Sequence, residues 1–555
     1  MKVYEVIARV LAREGVEAVF AVMGDANMRW LVELRRFPQV RVYYARHENS
    51  AVAMADGYAR ATGKIGLCTV TCGPGLALTA DSLVTARNHG TPLLLIAGDT
   101  PTGMLQHIQE LDQGRFADAL SVQSYDMMKA DSAAEDLALA LSVAATRGAP
   151  VVLNVPTDLQ EADYRWEVDE TPMHERMPAA QRAVPDIASL GPAIELLAAA
   201  ERPIVIAGRG AADARAEIDR VADMLGALVS TTLLAKGLFA GDPFDLGVAG
   251  LFSHDRAQAL FAEADVVLAV GAGLNHYTTE SGVLFPNASL VHVDIRRFVA
   301  RPGARPPDRY LQGDARATLA AIADALEADR RPRTGLRTPE MAASLEEMRR
   351  QALAIGSGQV SGGLDPRAVM SIVDAEVGEQ ALFVIGMGHF WWFAINYLRG
   401  GPQRSFILTH DFGSIGQALP TAIGAAIGLP GTRVFAVEGD ASILMCVQEM
   451  DTAARYGVPV WAVVMNDGGV GAEFHHLRAV GMDPGDAILR SPDLALVARA
   501  FGAVGTEVRS LGELRAALAD RTPGPHLLDA RIARDVIAEP YRKLWYPEAT
   551  TDTPS

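Results

Sequence analysis

One local pattern runs through most of this chain. Short apolar runs, too brief for helices, alternate with longer stretches of helical spacing. In residues 1–165 the runs are VEAVFAVMG, RVYYA, IGLCTVT, TPLLLIAG and APVVLNV. Parallel neighbours need a crossover of a dozen or more residues, usually a helix, so this alternation specifies parallel sheets covered on both faces. The style repeats over 187–335 (RPIVIAGRG, ADVVLAVGAG, ASLVHVDI) and over 360–535 (ALFVIGMG, RVFAVEG, VPVWAVVM, PHLLDARI). A chain of 555 residues exceeds what one hydrophobic core organises. The expected fold is therefore α/β, with three doubly wound parallel-sheet domains. Residues 166–186 read as a polar linker and 536–555 as a C-terminal tail, its last stretch PEATTDTPS aperiodic and mobile or draped over a neighbour. No short-period repeat is evident.

Composition removes several function classes. A net charge of −17 argues against a nucleic-acid or anionic-membrane partner. Three cysteines cannot form a disulfide framework, and Cys68 and Cys72 in CTVTC lack the spacing of a zinc site. The N-terminus interleaves charge with apolar residues, unlike a signal peptide. No apolar run approaches the roughly 20 residues that span a bilayer. A cytoplasmic protein is expected.

The sharpest chemistry lies in the third block. RVFAVEG, a helical stretch closed by Gly457, and VPVWAVVM form one βαβ unit. Its strands point the same way, so Asp440 and the pair Asn466-Asp467 meet at the carboxyl edge of the sheet, where open α/β sheets bind ligands. The glycines of GGVG (468–471) allow close backbone approach and an inward carbonyl. Two carboxylates and a carbonyl suit Mg²⁺ or Ca²⁺, with phosphate oxygens and water completing the shell. A helix starting near Ala441 and Ser442 would offer free N–H groups to the same phosphates. Taken alone, Asp440 is equally well read as an N-cap; with Asp467 and the glycine loop the pattern is far more specific.

These residues resemble the diphosphate-binding motif of thiamine-diphosphate enzymes: Gly-Asp-Gly, an interval, then Asn-Asn. Here it reads GDA and ND. The resemblance implies metal ligands Asp440, Asp467 and the Gly469 carbonyl, with Asn466 as the alternative. It implies cofactor contacts from Gly439, Asp440, Ala441, Ser442, Asp467, Gly469, Val470 and Gly471. Ala441 departs from the motif's glycine, and Asp467 from its second asparagine, adding a charge. The likeness covers nearly the whole chain and looks most like the acetolactate synthase branch, with pyrimidine-binding (1–165), central (187–335) and diphosphate/Mg-binding (360–535) domains. RHENSAVAMADGYARATGK (46–64), TCGPG (71–75) and HDFGSIGQALPTAIGAAIG (410–428) resemble further segments of that branch.

The resemblance also assigns roles. Glu48 would hydrogen-bond the cofactor's pyrimidine and assist removal of the thiazolium C2 proton. Ile415 would hold the cofactor bent while the Gly413 carbonyl accepts from its 4′ group. Gly388, His389 and Phe390 take the places of a stretch near the diphosphate. Asp25 is read as a proton-handling group near substrate or as a turn residue. Gln113 is the preferred substrate-side residue, with His107 weaker; His475 and His476 are left unassigned. GRGAAD (208–213) lacks the third glycine of a dinucleotide fingerprint, so FAD, bound by some relatives, is not expected. Glu48 and Asp440 lie in different domains, which implies a homodimer or homotetramer with the active site between chains. The expected function is a carboligase that decarboxylates a 2-oxo acid, pyruvate above all, and passes the acyl carbanion to a second carbonyl acceptor. A simple decarboxylase or C–C lyase and a non-catalytic cofactor-binding homologue are the alternatives.

Overall fold

A computed structural model describes residues 1–104, 106–176, 181–299, 305–329, 335–353, 358–378, 380–401 and 406–546. The strands Ala18–Ala21, Arg41–Tyr44, Gly66–Val70, Leu93–Asp99, Gln123–Asp126 and Pro150–Pro156 (β1–β6) form a parallel sheet ordered β2-β1-β3-β4-β6-β5. Pro203–Ala207, Leu228–Thr231, Asp245–Val248, Val266–Val270, Ser289–Asp294 and Arg309–Gln312 (β7–β12) form a second, ordered β12-β11-β10-β7-β8-β9. Leu382–Ile385, Phe406–Leu408, Val434–Gly439, Val460–Asn466, Val504–Val508 and His526–Arg531 (β13–β18) form a third, ordered β14-β13-β15-β16-β18-β17. The central strands read as continuous apolar runs because helices cover both faces. Every residue of β3, β7 and β10 is buried. The first helix, Val3–Arg13, shows the complementary logic: Val3, Val6, Ile7, Val10 and Leu11 form one buried stripe.

The first and third sheets have the same strand order. The helix that follows the second strand of each, Glu48–Thr62 in one and Ala418–Gly428 in the other, packs against its counterpart. The contact is made at glycines. A Cβ on Gly57 would lie 2.0 Å from the Thr421 carbonyl oxygen, and one on Gly424 would lie 1.8 Å from that of Met54. Neither distance is tolerable, so both positions need glycine for the backbones to approach this closely. One apolar cluster then runs from Ala51, Val52 and Met54 into Leu419, Ala422 and Ile423.

Two expectations change. The stretch after Asp440 is not one helix but a single turn, Asp440–Ile443, and a separate helix, Glu449–Tyr456, that ends at left-handed Gly457 (φ 63°). The tail is not wholly irregular: Glu539–Trp545 is helical, and Tyr541 is buried with its ring 5.1 Å from that of His389. Residues 547–555, including PEATTDTPS, lie outside the described residues. No described helix is long and apolar enough to cross a membrane.

Candidate active site

β15 and β16 are adjacent and in register, with Gly439 opposite Met465. Asp440 and Asp467 therefore follow their strands at the same edge. Asp440 is 1% exposed, and the Ser491 hydroxyl donates to its Oδ2. Burial raises its pKa; the Ser491 hydroxyl and nearby backbone amides, among them that of Asp467, oppose the rise. Asp467 is pushed up to about 7, first by burial and then by the charge of Asp440. Arg534 is the nearest counter-charge, but its Nη2 donates to the carbonyl oxygens of Asp467 (2.5 Å) and Gly468 (3.0 Å).

Two partly desolvated carboxylates that raise one another's charging cost form a hard-oxygen site for a divalent cation. Among the described residues no group of three or more His, Cys, Asp or Glu could hold a metal. Further ligands then come from neutral oxygens, such as backbone carbonyls, side-chain hydroxyls or amides and water, or from a ligand's own phosphate oxygens, so the donor set fits a cation that arrives with a diphosphate. Asn466 does not compete for this role. Its Oδ1 accepts from Gly468 N–H (3.1 Å) and its Nδ2 donates to Asp529 (2.7 Å), so both ends of the amide brace the loop.

The loop itself is tightly fitted. Gly468 has φ 75°. A Cβ on Gly469 would lie 2.2 Å from the Ala487 carbonyl oxygen, and one on Gly471 would lie 2.2 Å from the Asp467 carboxylate. Val470 N–H donates to Ala487 O (3.0 Å). The turn after β15 contributes one helical turn of N–H groups at Ala441 and Ser442, not the end of a long helix, so the dipole assistance expected from sequence is smaller. Phe390 lies beneath this turn: a Cβ on Gly439 would be 3.1 Å from its ring, and one on Gly388 would be 2.6 Å from it.

His389 is buried, accepts from Ala538 N–H through Nε2 (3.2 Å), and is held well below the usual imidazole range, mainly by burial. It is therefore neutral. The two histidines after the loop diverge, as adjacent helical residues must. His475 is 0% exposed, its ring 4.4 Å from that of His389, while His476 lies against Trp545 at 3.9 Å.

The first sheet presents a different mouth. Glu48 is the first residue of helix Glu48–Thr62, capped by His47, whose side chain accepts from Asn49 N–H. It is half-buried. No hydrogen bond or ion pair among the described residues engages its carboxylate or links it to Asp440, Asp467 or Ile415. Asp25 is exposed and accepts from the Thr71 hydroxyl at 3.1 Å. Gln113 is placed differently from expectation. It is 3% exposed; its Nε2 donates to Gly98 O and Asn154 Oδ1 (both 3.0 Å) and its Oε1 accepts from Gly73 N–H (2.9 Å). With every polar atom of its amide engaged, it braces the Gly73 turn and presents nothing to substrate. Gln109, which sequence reasoning passed over, is only half-buried and its Oε1 accepts from the Cys72 thiol at 3.2 Å. Its spacing was no more distinctive than that of Gln113. His107 Nδ1 accepts from Gln109 N–H (3.2 Å), a local turn contact.

Ile415 sits 38% exposed and Phe412 54% exposed on the loop between β14 and helix Ala418–Gly428. Gly413 (φ 79°) and Gly416 (φ 78°) turn that loop. In the central domain, the Gly208 turn packs against Gly271, whose carbonyl oxygen would lie 2.2 Å from a Cβ on Gly208.

Comparison with known proteins agrees with this architecture. The N-terminal thiamine-pyrophosphate-binding domain of thiamine pyrophosphate enzymes matches residues 1–119, their central domain residues 190–322, and their C-terminal binding domain residues 386–530. An acetolactate synthase large subunit of Parasynechococcus marenigrum is 30% identical over 94% of this chain and 86% of its own length. A probable chloroplastic acetolactate synthase 2 of Oryza sativa subsp. japonica is 28% identical, covering 95% and 82%. An acetolactate synthase of Mycobacterium bovis is 28% identical, covering 90% and 82%. With the three domains in order and a relative similar along nearly its entire length, this chain belongs to the thiamine-diphosphate-dependent enzymes of the acetolactate synthase-like branch.

Proposed function

We propose that this protein is a thiamine-diphosphate- and Mg²⁺-dependent carboligase that decarboxylates a 2-oxo acid, pyruvate in the first instance, and transfers the acyl unit to a second carbonyl. The product is then of acetolactate or acyloin type. The observation that carries the reading is the pair of buried Asp440 and half-buried Asp467 just past the ends of adjacent strands, with Asp467 raised by desolvation and by its neighbour's charge. Asp440, Asp467 and the Gly469 carbonyl hold the cation. The N–H groups at Ala441 and Ser442, with Val470 and Gly471, approach the diphosphate. When bound, the cofactor would supply a nucleophilic thiazolium carbon and a cationic ring whose nitrogen takes up the electron pair left as CO₂ departs. Glu48 exchanges a proton with the pyrimidine ring, and Ile415 and the Gly413 carbonyl fix the relative orientation of the two rings.

The active site is completed between two copies of the chain, in a dimer or dimer of dimers. Large apolar side chains stand exposed at both mouths: Met23, Met28 and Leu78 on the first domain, Phe412, Ile415, Leu444 and Met445 on the third. Such surfaces favour burial against a partner, and Glu48 has no intrachain contact with the metal pair.

Calorimetric titration with thiamine diphosphate and Mg²⁺ tests the reading. Uptake is expected with metal and lost with chelator; metal-independent uptake, or none, sinks it. Incubation with pyruvate, with and without an acceptor aldehyde or ketone, then identifies the reaction. A second reading, simple decarboxylation or C–C cleavage, is favoured by exposed Asp25 beside Thr71, a group free to protonate an intermediate. Turnover of pyruvate to acetaldehyde that an acceptor does not divert would select it.

A further inference from the structure

The loop of residues 409–417 carries Gly413 and Ile415, and the Ile415 side chain is 38% exposed within the chain. Its placement depends on the backbone, and three carboxylates, Glu438 fully buried and Asp81 and Asp411 half-buried, hold that backbone. At the entry, Asp411 accepts from Arg60 Nη1 (3.1 Å) and from His89 Nδ1 (2.9 Å). Arg60 also donates to Leu408 O (2.9 Å), and Asn88 Nδ2 donates to Asp411 O (2.9 Å). In the middle, Asp81 accepts from the Ser414 hydroxyl and from Gln417 Nε2 (2.6 Å). At the exit, Glu438 accepts from Ala418 N–H (2.7 Å) and from the Ser442 hydroxyl, which itself accepts from Gly416 N–H (2.9 Å).

The entry point joins three domains. Arg60, His89 and Asn88 come from the first, Asp411 from the third. From the central domain, Arg209 Nη1 donates to the His89 carbonyl. The Gly208 turn, pressed against Gly271, aims Arg209 at this junction. Charges balance there: Arg60 and Arg209 face Asp411 and Asp56, which accepts from Arg60 Nε at 2.9 Å. His89 is neutral, lowered to about 4 by burial and by Arg60.

We propose that the junction of Arg60, Asp411, His89 and Arg209 is a positioning device for the Ile415 loop, through which the central domain steadies the catalytic geometry. This rests on the reading that Ile415 orients the bound cofactor. The four are positioning residues; none is placed on the reacting atoms. Removing one partner of a buried charge pair leaves the other uncompensated, and a 1 Å displacement of a catalytic element costs on the order of 100-fold in rate.

Asp411→Asn and Arg209→Met, made in the full-length protein, test this with two readouts. The first is amide hydrogen exchange of residues 409–418 in cofactor-free protein. The second is exchange of the C2 proton of bound thiamine diphosphate into D₂O, normalised to cofactor occupancy. Each variant is expected to speed amide exchange in that segment at least about tenfold and to slow C2 exchange about 10–100-fold, with cofactor occupancy near wild type. If Asp411→Asn fails to fold, Arg209→Met decides. Unchanged protection of the loop, or a C2 rate that falls only with occupancy, overturns the proposal. Ile415→Ala separates the two claims. Wild-type C2 exchange in that variant defeats the reading of Ile415 itself; slowed exchange there alongside unaffected junction variants defeats only the positioning role.

Discussion

The first and third domains are built on the same strand order, β2-β1-β3-β4-β6-β5 and β14-β13-β15-β16-β18-β17, yet their mouths carry opposite chemistry. In the third, the two central strands are followed directly by Asp440, which opens the turn Asp440–Ile443, and by Asp467. In the first, the matching strands β3 and β4 end in the Thr71–Gly75 turn, braced by Gln113, and in Asp99, whose Oδ1 is engaged by its neighbour's N–H (Thr100, 2.7 Å). A further carboxylate, Glu48, starts the helix after the second strand. One scaffold thus places a charged group in two ways. Directly after a central strand, Asp440 is 1% exposed and takes a hydrogen bond from Ser491, whereas Glu48, after the edge strand β2, is half-buried and no hydrogen bond among the described residues engages its carboxylate.

Replacing the strand-end group should have the largest effect. Asp440→Ala is expected to weaken Mg²⁺-dependent thiamine diphosphate uptake by more than about 100-fold, whereas Thr71→Ala at the matching strand should leave uptake near wild type. Equal losses in the two titrations would erase the distinction. Glu48→Gln should come next, cutting turnover about 10²–10⁴-fold while cofactor binding persists; steady-state rates beside calorimetry would show whether binding and chemistry separate in this way.

The shared helix contact sharpens the comparison differently. Gly57→Ala and Gly424→Ala each drive a methyl into backbone, so each should cost about 1–3 kcal/mol by urea unfolding, and by similar amounts. A marked inequality would mean the two helices do not play equivalent parts. The smallest effect concerns Asp467. Burial and the charge of Asp440 push its carboxyl up to about 7, above its ordinary value, so the fold favours the protonated form. Its contribution to stability is present at low pH and is lost as pH rises from about 4 to about 7. Metal-free Asp467→Asn should therefore melt above wild type by about 2–4 °C at pH 8, with the gap shrinking towards pH 4. A gap that widens on acidification would reverse the assigned electrostatics.

Much of this was readable from residues. The covered strands β3, β4, β7, β10, β15 and β16 are continuous apolar runs, and parallel pairing then puts Asp440 beside Asp467. Strands at the sheet edges escaped notice: Gln123–Asp126, Asp245–Val248, Arg309–Gln312, Phe406–Leu408 and Val504–Val508. An edge strand has a neighbour on one side only and is partly solvated, so its sequence often carries little apolar signal, and in Val504–Val508 only Val508 is buried; Phe406–Leu408 is wholly apolar but only three residues long. Leu228–Thr231, one place in from the edge, is buried but half polar. The common order of the two outer sheets was invisible as well, since topology leaves no periodic trace in sequence. Gln113 and Gln109 are chemically alike, and only burial tells the fully engaged brace from the half-buried residue beside it.

The sequence by itself determined that strands alternate with helices and that two carboxylates stand at the ends of consecutive parallel strands, because side-chain period and chain direction are local properties. Tertiary structure decided that Asn466 braces the loop, that Gln113 supports a turn, and that Arg60, His89, Arg209 and Asp411, from three domains, meet beside the loop bearing Ile415. Those outcomes depend on which distant groups meet once water is excluded, and desolvation and hydrogen-bond satisfaction are settled only when the domains pack.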